Sequence, residues 1–484
     1  MIENRVRSAL QMEYEKRILV YDLEGFSSCC DYVSLLRSAG FSVYFYDDIE
    51  RIRLLYETEI RNTDTPCAII VTNHLFVPSD IKKAFRSVSL SLSSVYPRMD
   101  TAVLRRHIGD IGLIDASYDL FERNCIDKDG TDYYISKFSF SGQNVRAYIK
   151  AKEAEFQAII AKGPSFREWI KIAQENARLE KYAAMHHVRR DQTFLDDAFK
   201  EFVLSGGYRK LSAAISAEAP PILPRVMDHI VTGEKAALVV ADGMSMFDFE
   251  ILSETMTDYD YSYGGSFALI PTITSISRQS LLAGKYPQEL EKPFSLAKEE
   301  SGFYDAAQER GYTKQQSFYG RGYQAVPGLT AKLAAIIVND IDDMVHGQKQ
   351  GRIGMYQDVR LWAKEGKLLN LIDSLLERGF RVYLTADHGN TECVGVGGNR
   401  RTGVETETKS KRMMVLKDFA DISDELRTKT FEYPGFYSNK NYHYLICSGR
   451  TSFDSTGEIV MTHGGISIEE VIVPFVEVRK KKHG

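Results

Sequence analysis

Residues 236–245 read AALVVADGMS, and this stretch decides the fold class. Its first six residues are an unbroken apolar run, which is typical of a strand buried on both faces of a parallel sheet. Further runs of this kind stand at residues 334–340 (AAIIVND), 381–385 (RVYLT) and 412–416 (RMMVL). Residues 359–378 have helical periodicity and stop before Gly379, where a left-handed cap is expected. This alternation predicts an α/β domain over residues 225–484.

Two other regions precede this domain. Short β-rich runs at residues 17–21 (RILVY), 41–46 (FSVYFY) and 67–72 (CAIIVT) predict an N-terminal α/β, Rossmann-like domain over residues 1–143. Long amphipathic stretches follow and end at a proline-rich segment, which predicts a helical region over residues 144–224. Asp22 follows the first strand, but it has no clear acidic pair beside it and no matching lysine further along the chain. We therefore expect a turn residue there rather than a phosphorelay site.

The composition is that of an ordinary globular protein. The chain has 484 residues, of which 44% are hydrophobic and 26% charged, and its formal net charge is -5. A negative net charge gives no general attraction to nucleic acid, so any such contact would need a local basic patch. The six cysteines include no CxxC pair, which predicts reduced thiols. No apolar stretch is long enough to cross a membrane, and we therefore expect a cytoplasmic protein.

Side chains that can bind a metal ion follow several of the predicted strands. In an open α/β sheet, ligand-binding groups gather at the carboxyl ends of the strands. A single aspartate in such a position is commonly a cap or turn residue, but a set of six Asp and His side chains predicts a zinc site. One aspartate and one histidine of the set are four residues apart, about one helical turn. The predicted ligands are Asp242, Asp342, His346, Asp387, His388 and His463.

Residues 271–284 (PTITSISRQSLLAG) contain the candidate nucleophile. Thr274 stands at the start of a predicted helix, whose amide groups and dipole would face an incoming phosphate. The alternative is that Thr272, Thr274 or Ser275 is only the N-cap of that helix. Arg278 lies about one turn further on, where it would either contact a phosphate oxygen or lie at the surface.

Five motifs, ADGMS, PTITSISRQSLLAGKYP, the Asp342/His346 pair, TADHGN and THGG, occur in this order and resemble the catalytic domain of the alkaline phosphatase superfamily. More narrowly, residues 225–480 resemble the PglZ-domain proteins associated with BREX anti-phage defence. The resemblance implies an alkaline-phosphatase-like central sheet flanked by helices. It also implies two zinc ions, or Mn²⁺ or Mg²⁺ in their place. One ion would be held by Asp342, His346 and His463, and the other by Asp242, Asp387, His388 and Thr274.

The resemblance implies that Thr274 attacks phosphorus in line, and the PTxT context is similar to phosphodiesterases of the nucleotide pyrophosphatase type. We therefore expect a zinc-dependent phosphodiesterase that acts on nucleotides or oligonucleotides, with defence-system proteins as partners. Two alternatives stay open. TADHGN is also similar to cofactor-independent phosphoglycerate mutases, which favours a phosphomonoesterase or phosphomutase. The other alternative is a structural or regulatory component of a multi-protein defence assembly.

Overall fold

The computed structural model describes residues 2–28, 30–120, 127–398, 409–417 and 424–481. The chain forms two compact units, Met1–Lys152 and Glu153–Gly484. Within the described ranges, no helix is both long enough and apolar enough to cross a bilayer. The cysteines in these ranges form no disulfide, and Cys29 and Cys125 lie outside them.

The first unit is built on a four-stranded parallel sheet. Its strands are β1 (Arg17–Tyr21), β2 (Ser42–Phe45), β3 (Cys67–Val71) and β4 (Arg86–Ser89). They lie in the order β2-β3-β1-β4, so β3 separates the first two strands of the chain. The three predicted strands are confirmed, whereas β4 was not expected because it is a short, mostly exposed edge strand without an apolar run.

Helices surround this sheet and lead into the second unit. They are α1 (Ile2–Ala9), α2 (Tyr32–Ser38), α3 (Ile49–Leu55), α4 (Ser79–Ala84), α5 (Leu92–Val95), α6 (Thr101–Arg106), α7 (Ile111–Tyr118), α8 (Lys128–Tyr134) and α9 (Gly142–Ile160). The helical character predicted after residue 144 is confirmed, because α9 is followed by α10 (Phe166–Met185) and α11 (Thr193–Leu204). The last two helices belong to the second unit.

A six-stranded central sheet forms the core of the second unit. Its strands are β5 (Ala236–Ala241), β6 (Tyr259–Phe267), β7 (Ser317–Arg321), β8 (Leu333–Val338), β9 (Arg381–Thr385) and β16 (Ile472–Lys480). The order is β6-β16-β9-β5-β8-β7, with β9, β5, β8 and β7 parallel and β16 antiparallel to both of its neighbours. Every residue of β5 and β8 is buried, as their unbroken apolar sequences predict.

Two small sheets lie outside the central one. The first contains β10 (Thr391–Gly395), β14 (Thr451–Ser452) and β15 (Ile459–Thr462), and the second contains β11 (Met413–Leu416), β12 (Thr430–Tyr433) and β13 (His443–Cys447). The prediction of a parallel strand at residues 412–416 is wrong, because β11 pairs antiparallel with β13. All four residues of β11 are buried in this setting too, so an apolar run does not report strand direction.

The remaining helices pack around the sheets of the second unit. They are α12 (Val226–Ile230), α13 (Met246–Leu252), α14 (Thr274–Ala283), α15 (Glu299–Glu309), α16 (Asp340–Gly347), α17 (Gly351–Glu365), α18 (Lys367–Glu377), α19 (Asp424–Lys429) and α20 (Ile468–Val471). The prediction of one helix over residues 359–378 is wrong, because α17 and α18 are separate. Gly366 divides them with a left-handed φ of 69°, which a residue with a side chain rarely adopts.

Candidate metal centre

Three neighbouring strands bring the predicted aspartates together. Asp242 directly follows β5, Asp387 lies just after β9, and Asp342 lies in the first turn of α16 after β8. Since β5 lies between β9 and β8 and runs parallel to both, the three loops meet at one edge of the sheet. All three residues are buried.

The predicted histidines reach this edge from three different elements. His388 is in the same loop as Asp387, and His346 lies one turn after Asp342 on α16. His463 follows β15, which belongs to a small sheet rather than to the central one. Because β15 pairs with β10, and β10 begins directly after the Asp387 loop, the small sheet carries His463 to the other ligand candidates.

Asp342, His346 and His463 form a first group. Nε2 of His346 lies 3.1 Å from Oδ1 of Asp342, and Nε2 of His463 lies 3.6 Å from the same oxygen. The two Nε2 atoms are 3.2 Å apart. One carboxylate oxygen and two imidazole nitrogens this close together could bind a single ion.

Asp242, Thr274, Asp387 and His388 form a second group around one imidazole nitrogen. Nε2 of His388 lies 3.0 Å from the Thr274 hydroxyl, 3.7 Å from Oδ1 of Asp242 and 3.9 Å from Oδ2 of Asp387. The ring of His388 also stacks on that of His463, with 4.1 Å between centroids, so the two groups adjoin. Ligand atoms of Asp342, His388 and His463 lie within 4.8 Å of one another, which means that His388 could serve either group.

Thr274 is the first residue of α14 and is not its N-cap. The N-cap position belongs to Ile273, whose side chain cannot accept a hydrogen bond, so the capping alternative is wrong. The hydroxyl of Thr272 is also engaged elsewhere, because it donates to the Gly465 carbonyl at 3.0 Å. The Thr274 hydroxyl instead faces His388 at the amino end of a ten-residue helix.

Backbone carbonyls select the tautomer of two histidines. Nδ1 of His388 lies 3.0 Å from the Gly389 carbonyl, and Nδ1 of His463 lies 2.8 Å from the Thr272 carbonyl. A carbonyl can only accept, so Nδ1 carries the proton and Nε2 presents its lone pair. Burial lowers the pKa of His463 well below its ordinary value. His463 is therefore neutral, which is the form that binds metals.

Two carboxylates of the centre are only partly compensated. Oδ1 of Asp242 and Oδ2 of Asp387 are buried, and neither has a hydrogen-bond partner within the described ranges. Oδ1 of Asp342, in contrast, faces the imidazoles of His346 and His463. Burial and the charge of Asp387 raise the pKa of Asp242 well above its ordinary value. Unpaired buried carboxylates are costly unless a cation compensates them. The mixed Asp and His donor set therefore fits divalent metal ions, and zinc suits such donors.

Arg278 supplies the only guanidinium that contacts Asp242 within the described part of the chain. Its Nη1 donates to Oδ2 of Asp242 and its Nε donates to Glu299 at 2.7 Å. The residue is 1% exposed, so the alternative of a surface arginine is wrong. By occupying Oδ2, the guanidinium leaves Oδ1 of Asp242 directed toward His388. These bonds favour a role in orienting Asp242, and a contact with phosphate stays a prediction.

Several residues that shape the centre were missed by sequence reasoning. Asn390 donates to the Gly243 carbonyl at 2.9 Å and thereby ties the Asp387 loop to the Asp242 loop. Its place directly after His388 and Gly389 in TADHGN was a usable signal. Arg352 donates to Oδ1 of Asn390 at 3.0 Å, and it lies in a helix with no motif to reveal it.

Comparison with solved structures finds similarities that cover about half of the chain. Murine ectonucleotide pyrophosphatase/phosphodiesterase 5 is 13% identical over 50% of this chain and 88% of its own, with a TM-score of 0.33. Phosphonoacetate hydrolase from Sinorhizobium meliloti, in complex with phosphonoformate, is 11% identical over 51% of this chain and 90% of its own, with a TM-score of 0.32. No curated protein matches the chain by sequence.

A protein family, in contrast, matches more than half of the chain. Residues 224–478 match the family described as the BREX system PglZ alkaline phosphatase-like domain. The matched range starts just before α12 and contains both ligand groups, Thr274 and the central sheet except for the last two residues of β16. This chain belongs to the PglZ family of BREX-system, alkaline phosphatase-like proteins.

Proposed function

We propose that this protein is a zinc-dependent phosphodiesterase that acts on nucleotides or oligonucleotides in bacterial anti-phage defence, in the cytoplasm. One observation carries the proposal. The Thr274 hydroxyl lies at the amino end of α14, 3.0 Å from Nε2 of His388 and beside buried carboxylate oxygens that lack a partner within the described ranges. A hydroxyl in such surroundings suits a nucleophile rather than a structural threonine.

The proposed ligands divide into the two groups described above. Asp342, His346 and His463 would hold one zinc ion, and Asp242, Thr274, Asp387 and His388 would hold the other. Support comes from the short distances inside each group and from the proton on Nδ1 of two histidines, which leaves Nε2 for a metal. Two zinc ions bound here would supply Lewis-acid stabilisation of charge on a phosphoryl group, and Mn²⁺ or Mg²⁺ could do the same.

The residues of the chain would perform three further tasks. Thr274 would attack phosphorus in line, at the amino end of α14 where the helix dipole favours negative charge. The bond from phosphorus to the departing ester oxygen would break, and that oxygen would leave as an alcohol after taking up a proton in exchange for the one that Thr274 loses. Water would then cleave the phospho-threonine and restore the hydroxyl. Arg278 would hold Asp242 in the orientation that leaves Oδ1 available. Burial of the carboxylates and imidazoles would exclude bulk water and strengthen every charge interaction at the site.

The preference for diesters rests on the sequence context of Thr274 rather than on a shaped substrate pocket. The PTIT segment at residues 271–274 is the one that resembles nucleotide pyrophosphatase-type phosphodiesterases. A phosphomonoesterase or phosphomutase would use the same two ligand groups. Substrate comparison, rather than ligand identity, therefore separates these activities.

The match to a BREX-system family favours a second function, that of a component in a multi-protein defence assembly. Such a role would need defence-system protein partners and would not require an intact nucleophile. The two functions are compatible, since retained ligands do not prevent protein binding. Activity of the isolated protein decides whether the centre is catalytic.

The test compares hydrolysis of bis-p-nitrophenyl phosphate and p-nitrophenyl phosphate by zinc-loaded protein. We expect faster diester hydrolysis, loss of it with a chelator, and loss of it in Thr274→Val, which keeps the shape of the side chain without its hydroxyl. Thr274→Ser is the matched control, because it keeps the hydroxyl and should retain activity. A zinc-loaded protein that cleaves neither ester would reject the enzymatic proposal and favour the assembly role.

A further inference from the structure

Helices α10 and α11 contain no catalytic motif, yet their acidic side chains reach the metal centre through two arginines. The relevant segment is residues 386–391, which comprises the loop between β9 and β10 and the first residue of β10. It carries Asp387 and His388 and is called here the ligand loop. Arg352 donates to Asn390 and Arg450 donates to Thr391, and these are the last two residues of the ligand loop.

Arg352 of α17 holds the ligand loop by two hydrogen bonds to one residue. Its Nη1 donates to Oδ1 of Asn390 at 3.0 Å, and its Nη2 donates to the Asn390 carbonyl at 3.3 Å. The side chain of Asn390 in turn donates to the Gly243 carbonyl, next to Asp242. A displacement of Arg352 would therefore disturb the loops that carry Asp242 and Asp387 together.

Arg352 forms an ion pair with a carboxylate of α10. Oε2 of Glu180 lies 3.4 Å from Nη2 of Arg352, and Gln192, just before α11, donates to Oε1 of Glu180 at 2.6 Å. Glu180 and Arg352 are both buried. Loss of one member of a buried ion pair is costly because it leaves the other charge uncompensated.

Arg450 forms an equivalent connection to α11. Its Nη1 donates to the Thr391 hydroxyl at 3.2 Å, while its Nε and Nη2 donate to the two carboxylate oxygens of Asp196 at 2.6 and 3.0 Å. This bidentate geometry fixes the plane of the guanidinium. Nη2 also donates to Glu469 at 2.8 Å, so two carboxylates hold the arginine in place.

The ligand loop has little space in which to relax away from these contacts. A Cβ added to Gly389 would lie 1.9 Å from the Glu469 carbonyl oxygen, so only glycine fits there. The Gly389 amide donates to the Glu470 carbonyl at 2.9 Å, and its own carbonyl accepts from Nδ1 of His388. A shift of residues 389–391 would thus be transmitted to the imidazole of His388.

We propose that Arg352 and Arg450 are positioning residues for the metal centre, and that α10 and α11 set the geometry of the ligand loop through Glu180 and Asp196. The inference rests on the proposed function, because it takes the ligand loop to hold metal ligands. It makes the helices an integral part of the site, so that a change in α10 or α11 would alter metal affinity without altering a ligand.

The test uses Glu180→Gln in the full chain, with Glu250→Gln as its matched control. Glu250 is equally buried and also pairs with α10, through Arg178 at 3.2 Å, but within the described ranges no hydrogen bond or ion pair joins it to the ligand loop. In metal-free protein, we expect amide hydrogen exchange in the ligand loop to be about ten-fold faster in Glu180→Gln and unchanged in Glu250→Gln. Zinc affinity, measured by competition with a chelator, should fall about 10- to 100-fold only in Glu180→Gln.

The outcomes separate this inference from the proposed function. Equal exchange and equal zinc affinity in Glu180→Gln and the wild type would overturn the inference. If Glu180→Gln fails to fold, Asp196→Asn and Arg352→Lys take its place. Arg352→Lys should show a smaller effect because it keeps the positive charge, but still an effect because it loses the planar guanidinium that donates two hydrogen bonds to Asn390. A wild-type protein that binds no zinc would reject the proposed function, while hydrogen exchange would still decide whether the helices hold the loop.

Discussion

Asp22 and Asp242 each follow a parallel strand in the sheet of their own unit, yet their carboxylates have different surroundings. Each directly follows the first strand of its sheet and each is buried. Asp22 accepts hydrogen bonds from the Phe26 amide at 2.5 Å, the Ser27 amide at 3.2 Å and the Tyr32 hydroxyl at 2.8 Å. Oδ1 of Asp242 has no hydrogen-bond partner within the described ranges. The hydrogen-bond donors around the carboxylate, rather than its sequence position or burial, therefore distinguish a turn residue from a candidate metal ligand.

The largest expected effect comes from Asp242→Asn. We expect phosphodiester hydrolysis by the zinc-loaded protein to fall by about 10³-fold, because one ligand of the proposed site is lost. The unfolding free energy of the metal-free protein should change little, because asparagine keeps a side-chain oxygen that can accept from the Arg278 guanidinium. A variant that loses stability instead of activity would show that Asp242 resembles Asp22 after all.

Glu469 is a third buried carboxylate, and the charges that compensate it are those of two arginines of the chain rather than of a metal ion. Burial opposes its ionisation, but the charges of Arg450 and Arg352 outweigh burial and lower its pKa from 4.5 to about 2. A lowered folded-state pKa means stabilisation that is present above about pH 4.5 and lost as the pH falls toward 2. Glu469→Gln should therefore lower the unfolding free energy by about 3 kcal/mol at pH 7. Denaturant unfolding across this pH window should show the difference disappearing in acid.

Zinc removal should affect only the unit that contains Asp242. At a zinc concentration about 100-fold above the dissociation constant, binding adds about 2.7 kcal/mol to the unfolding free energy, and a chelator removes it. Trp169 and Trp362 are the only tryptophans of the chain and both lie in the second unit, so their fluorescence reports that unit alone. A fluorescence transition that does not respond to the chelator in the wild type would argue against the metal centre.

Asp22→Ala should have the reverse effects of Asp242→Asn, a loss of stability without a loss of activity. It removes the acceptors of two backbone amides and leaves the buried Tyr32 hydroxyl without its partner, which should lower the stability of the first unit by about 1–3 kcal/mol. Diester hydrolysis should be unchanged. Circular dichroism should register the loss, whereas tryptophan fluorescence should not, because the first unit contains no tryptophan.

The smallest effect is expected from Glu24→Gln, two residues after Asp22. Glu24 pairs with Arg105 at 2.7 Å, but both side chains are exposed to solvent. Surface ion pairs contribute about 0–1 kcal/mol, so the unfolding transition followed by circular dichroism should hardly move. A decrease in unfolding free energy as large as that in Asp22→Ala would mean that the charge of Glu24, rather than hydrogen bonding to Asp22, stabilises this turn.

Local sequence patterns were sufficient for the candidate ligands because the ends of parallel strands coincide in space. An apolar run followed by aspartate places Asp242 and Asp387 at one edge of the sheet, and the four-residue spacing places His346 beside Asp342. The same patterns did not report strand direction, as β11 shows, or that Gly366 would divide a helix in two. The assignment of the aspartates and histidines as zinc ligands stays a prediction.

The amino-acid sequence by itself determined the parallel core of the second unit, the turn role of Asp22 and the positions of the candidate ligands, because these depend on spacing within single segments. Only the tertiary structure decided which carboxylates would be compensated. Asp22 finds donors within its own turn, whereas Glu180 and Asp196 find Arg352 and Arg450 from segments far away in the chain. Such pairing depends on how whole elements pack, and a linear pattern of residues carries no record of it.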